Sequence, residues 1–131
     1  MSYPLNPIER AVRAEREAQD ARWGEQNHPD GTGLLGDDLS AQSARHTCQY
    51  AASKDAVTWR DILWEEVAEA FAEQDDAKLR TELVQVAAVA QAWAEAIDRR
   101  IADTPPPCTC LHMPHAVNCK QRYWLALRGE L

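Results

Sequence analysis

Apolar residues recur along this chain at three- and four-residue spacings with polar residues between them, the period of amphipathic helices rather than strands. In the first such stretch Ile8, Ala11, Val12, Ala18 and Trp23 share one broad face, on which Glu15 and Gln19 also fall and need polar partners. Asn6 stands as N-cap, Pro7 takes the first helical position and Glu9 follows three residues after the cap. A helix is therefore expected from Pro7 to about Trp23, with Gly24 stopping it.

Residues 27–40, NHPDGTGLLGDDLS, break the period with three glycines, a proline and three aspartates, which is loop chemistry and a candidate lid over a ligand. Ser40 then reads as N-cap of a second helix running to about Lys54, with the small residues Ala41, Ala44, Cys48 and Ala52 on its inner face. Thr58 and Asp61 form a capping-box pattern that opens a third helix, expected to reach about Glu73. Asp75 and Asp76 interrupt. A fourth, longer helix is expected over 77–101, with Leu79, Leu83, Val86, Ala90, Trp93 and Ile97 at core spacing. Pro105, Pro106 and Pro107 end it, because consecutive prolines cannot continue a helix. The chain thus reads as a helical domain over 1–104 and an appendage over 105–131, whose Tyr123, Trp124, Leu125 and Leu127 suit a short terminal helix.

Composition agrees with an all-α domain. Of 131 residues 45% are hydrophobic, enough for one core, and only five are glycine and one phenylalanine. The formal net charge of −7 argues against a nucleic-acid polymer as partner, since phosphate-backbone affinity comes from clustered Lys and Arg. An acidic protein can still take a nucleotide through a divalent cation. No apolar run approaches the roughly 18–20 residues of a membrane span, and the first residues lack the apolar core of a signal peptide, so a cytoplasmic protein is expected.

The third helix carries the chemistry. Stepping about 100° per residue places Trp59, Ile62, Leu63, Val67 and Ala70 on its buried side. Glu66 falls inside that arc, Glu69 at its margin and Glu65 well outside. A carboxylate among apolar residues is disfavoured unless it is paired or bound to a cation. On the fourth helix Glu82 lies at the edge of the apolar face, with Gln85 one turn later. The short 74–76 connection suits antiparallel packing of the two helices, which would set Glu66 and Glu69 opposite Glu82. A hard cation such as Mg²⁺ would relieve the repulsion, whereas pairing of Glu66 with Arg45 or Arg60 is the plainer alternative.

Glu66-Val-Ala-Glu69, twelve residues and Glu82-Leu-Val-Gln85 resemble the Glu-x-x-Glu and Glu-x-x-Asp signature of all-α nucleoside triphosphate pyrophosphohydrolases. The stretches RWGEQNHPDGTG, ILWEEVAEAFAEQD and LRTELVQVAAVAQAWAEAIDRR look like the small MazG-like proteins of actinobacteria and their phages. This resemblance spans about 15–100. It implies an antiparallel helical bundle completed by a homodimer or larger homo-oligomer. It also implies hydrolysis of a nucleoside triphosphate to a monophosphate and pyrophosphate, with Mg²⁺, or Mn²⁺ in its place.

The resemblance carries Glu66, Glu69 and Glu82 over as metal ligands, with Gln85 where the family has Asp. A neutral amide there costs the site one negative charge, so a nucleotide-binding or regulatory protein of weak or no activity is the alternative reading. Glu65 and Glu69 are both candidates for the general base. Arg45 and Lys54 are candidate phosphate contacts, with solvated positions as their alternative. Trp23, Asn27 and His28 are candidates for holding the base, or else a core residue and a turn.

Cys108, Cys110, His112, His115 and Cys119 supply more than the four soft ligands of a structural zinc site, which would stabilise the appendage without a catalytic role. A disordered or loosely docked tail is the competing reading of this segment, and a helical interaction module whose Cys/His tail recognises a protein partner is a third reading of the chain.

Overall fold

The computed structural model describes residues 3–103 and residue 129. Among them it is all helical: α1 (Pro7–Trp23), α2 (Asp37–Ser53), α3 (Trp59–Ala72) and α4 (Asp76–Asp103). The chain divides into two compact units, 1–92 and 93–131. In the second, the described residues continue α4 from Trp93, which is half-buried, to Asp103. The proline run, the cysteine and histidine cluster and the expected terminal helix lie outside the described residues.

Local chemistry fixes several helix ends. Asn6 accepts from the Glu9 amide at 2.9 Å while Glu9 accepts from the Asn6 amide at 2.9 Å, a closed capping box. Thr58 and Asp61 repeat the motif on α3, with bonds of 3.1 and 3.2 Å. Gly24 ends α1 with φ at 67°. The second helix departs from expectation, starting at Asp37 with Ser40 inside it. Gly36 stands at its N-cap with φ at 93°, which favours glycine, and Asp37 accepts from the Leu34 amide at 2.8 Å. Asp37 and Asp38 also complement the positive end of the helix dipole, an advantage a start at Ser40 would forgo.

The 24–36 connection is tied down rather than free. Gly33 donates its amide to the Phe71 carbonyl at 2.8 Å and accepts from the Gln74 side chain at 3.4 Å, which fixes the glycine loop at the end of α3.

α2 packs on α3 through Ala41 and Ala44 against Ala68, with Ala72 beside them. Methyl side chains let the backbones approach closely, and each buried methyl contributes roughly 0.8 kcal/mol. A larger residue at Ala44 or Ala68 would force the pair apart at about 1–3 kcal/mol. The buried face of α2 ends at half-buried Cys48, and Ala52 is exposed, contrary to the expected inner face. On α4 only Leu79 of the expected core stripe is buried. Leu83 is 51% and Ile97 37% exposed, and Ala90 is also exposed. α1 buries nothing, so its apolar face has no cover within the described chain. No described helix is long and apolar enough to cross a membrane.

Candidate metal centre

The capping box at Thr58 sets the phase of α3, and with it the positions of Glu65, Glu66 and Glu69. Glu82 and Gln85 come from α4. Glu66, Glu69 and Glu82 each present a carboxylate oxygen within 4.8 Å of the other two, and all three residues are half-buried. Burial is the main cause that raises Glu66 above the usual carboxylate range, reinforced by the charges of Glu69, Glu82 and Glu65. Burial likewise raises Glu82, helped by the charges of Glu69 and Glu73 and by a hydrogen bond with Glu69 that favours its protonated form. Arg45 pulls in the opposite direction.

Gln85 closes this group from α4. With its amide nitrogen turned toward the carboxylates it donates to Glu66 Oε2 at 2.9 Å and to Glu82 Oε2 at 3.1 Å. The reverse orientation sets a carbonyl oxygen among acceptors, which is favourable only with a cation between them. One side chain can thus serve the group in two ways, as donor to the carboxylates or as a neutral oxygen ligand.

Arg45 on α2 is the counter-ion. Its Nη2 lies 3.1 Å from Glu69 Oε1 and its Nε 3.3 Å from the same oxygen. Of the two arginines expected as alternative partners for Glu66, Arg45 therefore pairs with Glu69.

Glu65 does not point well outside the packed side, as the helical wheel suggested. It is half-buried and interacts with the Cys48 thiol of α2, so the close α2–α3 contact extends the covered arc of α3. In the sequence Cys48 carries no mark of a polar partner, because it shares its helix face with the small residues Ala41, Ala44 and Ala52. Interaction with Glu65, burial and the charges of Glu65, Asp61 and Glu66 push its pKa up to about 11.

The remaining substrate-binding candidates make local contacts. Trp23 is 56% exposed and lies under the Arg22 guanidinium at 4.8 Å. Asn27 donates to Glu25 at 3.2 Å, and His28 pairs with Gln26 at 3.1 Å. Lys54 sits over the Tyr50 ring at 5.8 Å. Of the five, Arg45 alone contacts the carboxylate cluster among the described residues.

A polar cleft of about 280 Å³ adjoins the cluster, with Glu69, Glu82 and Arg45 in its lining. A larger groove beside Leu79, Leu83, Val84 and Ala87 is mainly apolar and includes none of the three carboxylates. Comparison with protein-family models, curated proteins and solved structures finds no match to this chain.

Proposed function

We propose that this protein is a Mg²⁺-dependent nucleoside triphosphate pyrophosphohydrolase that cleaves between the α and β phosphates, releasing a monophosphate and pyrophosphate. The convergence of Glu66, Glu69 and Glu82 within 4.8 Å carries this reading, because three crowded carboxylates are a hard-oxygen donor set suited to Mg²⁺ or Mn²⁺. Glu66, Glu69 and Glu82 would hold the cation, and Gln85 would add its carbonyl in the orientation that faces acceptors. A bound cation would neutralise phosphate oxygens and favour attack by water. Glu69 belongs to the cluster whereas Glu65 is engaged by Cys48, which favours Glu69 of the two as acceptor of the water proton.

A homodimer, or a larger assembly of the same chain, completes the bundle in this reading. No large side chain is fully buried among the described residues, and Trp64 and Phe71 are 53% and 52% exposed. A single chain with so little covered apolar surface gains from a second copy. In this reading the acidic, nucleotide-directed protein acts in the cytoplasm.

A second reading, nucleotide binding without turnover, is favoured by Gln85. Its amide bonds to Glu66 and Glu82 partly replace a cation, and it lacks the charge of an aspartate. Incubation with a panel of nucleoside triphosphates and Mg²⁺ separates the two. Equal yields of pyrophosphate and monophosphate support the hydrolase. Orthophosphate release would overturn the bond assignment, and binding without either product would favour the second reading.

A further inference from the structure

Arg45 engages Glu69 asymmetrically. Both Nε and Nη2 converge on Oε1, which leaves the second Glu69 oxygen without an arginine contact and Nη1 without a hydrogen bond to any described residue. Among the described residues the guanidinium is the one cationic group lining the polar cleft, with Asp38, Glu69, Glu73 and Glu82 as the other charged residues. An anion would meet net negative charge there, which this arginine offsets in part and a bound cation would offset further. The backbone beneath Arg45 is anchored, because Ala44, its neighbour in α2, and Ala41, one turn earlier, are buried against α3. The arginine side chain is nevertheless 48% exposed, so its outer edge faces solvent.

We infer that Arg45 is a positioning residue that couples the cation to the phosphate chain. One edge of its guanidinium orients Glu69 for the metal, and its Nη1 edge, engaged by no described residue, meets the pyrophosphate portion of the nucleotide. This rests on the metal-site reading above. A planar fork can bridge a carboxylate and a phosphate simultaneously, whereas an ammonium offers a single point of charge.

The test is titration of the full chain with Mn²⁺ alone, then with inorganic pyrophosphate at saturating Mn²⁺, for wild type, Arg45→Gln and Arg45→Lys, with far-UV circular dichroism as a check on the fold. Arg45→Gln is expected to weaken Mn²⁺ binding about tenfold or more, as loss of a partner to a ligating carboxylate does, and to weaken pyrophosphate binding as well. Arg45→Lys should recover Mn²⁺ affinity but not pyrophosphate affinity. Wild-type behaviour of Arg45→Gln toward either ligand overturns the coupling, and so does tighter Mn²⁺ binding, which would make Arg45 a competitor of the metal. Recovery of both affinities by Arg45→Lys would reduce the arginine to a simple charge. Absence of Mn²⁺ binding by wild type at millimolar concentration removes the metal-site reading itself, an outcome distinct from the others.

Discussion

The Glu65 carboxylate of α3 acts on the Cys48 thiol of α2 and, with burial, carries it from an ordinary value of 9.0 to about 11. The neutral thiol is the form that the fold favours. Alkylation of Cys48 by iodoacetamide should therefore stay slow through pH 9 and accelerate only toward 11. Because the folded value is raised, the associated stabilisation is full below pH 9 and lost as pH rises through 11. Glu65→Gln should bring the onset of alkylation to lower pH. Fast reaction of the wild-type thiol at pH 8, with mass spectrometry locating the adduct, would contradict the influence of Glu65 on Cys48.

Glu66 is held above the usual carboxylate range by burial and by like charges, so its ionisation at neutral pH works against the metal-free fold. The folded value is raised, so that cost is absent below the unfolded carboxylate range and complete once pH exceeds the folded value. Glu66→Gln is expected to raise Tm of the metal-free protein at pH 7, with little effect at pH 4. The same variant should lose Mg²⁺-dependent hydrolysis. Activity near wild type would remove Glu66 from the proposed site.

Gln85→Asp exchanges an amide donor for a fourth negative charge in the cluster. Without metal the added repulsion should lower Tm, and with Mg²⁺ or Mn²⁺ the affinity should rise, with faster turnover. Calorimetric titration showing weaker metal binding in this variant would place Gln85 outside the ligand set.

Gly33 adopts φ of 73°, and a Cβ there would run into the Gln74 side chain. Gly33→Ala should destabilise the protein by about 1–2 kcal/mol from backbone conformation and crowding together. In a Gln74→Ala background the same substitution should cost less, since only the backbone term remains. Equal losses of chemical stability in both backgrounds would show that the loop does not seat against Gln74.

Metal analysis of the reduced protein should find up to one zinc per chain, held by Cys108, Cys110, Cys119 and one of His112 or His115. Truncation after Thr104 should remove the zinc and spare hydrolysis. Zinc-free protein prepared without chelators would count against the zinc assignment, and loss of hydrolysis on truncation would give the tail a part in the active site or the assembly.

The sequence by itself determined the features that act over three or four residues. The capping boxes at Asn6 and Thr58 close between a residue and its third successor, and Glu66 is marked as anomalous by its own helical arc, so neither required knowledge of distant parts of the chain. The start of α2 depended on Gly36 taking a left-handed conformation and on Asp37 capturing the Leu34 amide, a loop geometry that periodicity does not encode. Only tertiary structure decided which acid Arg45 holds and what Glu65 faces. Glu66 and Glu69 lie one turn apart on the same helix, and the alanine contact between α2 and α3 sets the height at which Arg45 arrives. The same contact turns Cys48 onto Glu65. Such partners follow from how far one helix slides and rotates on another, which is governed by side-chain volume across the interface and leaves no local mark on either helix.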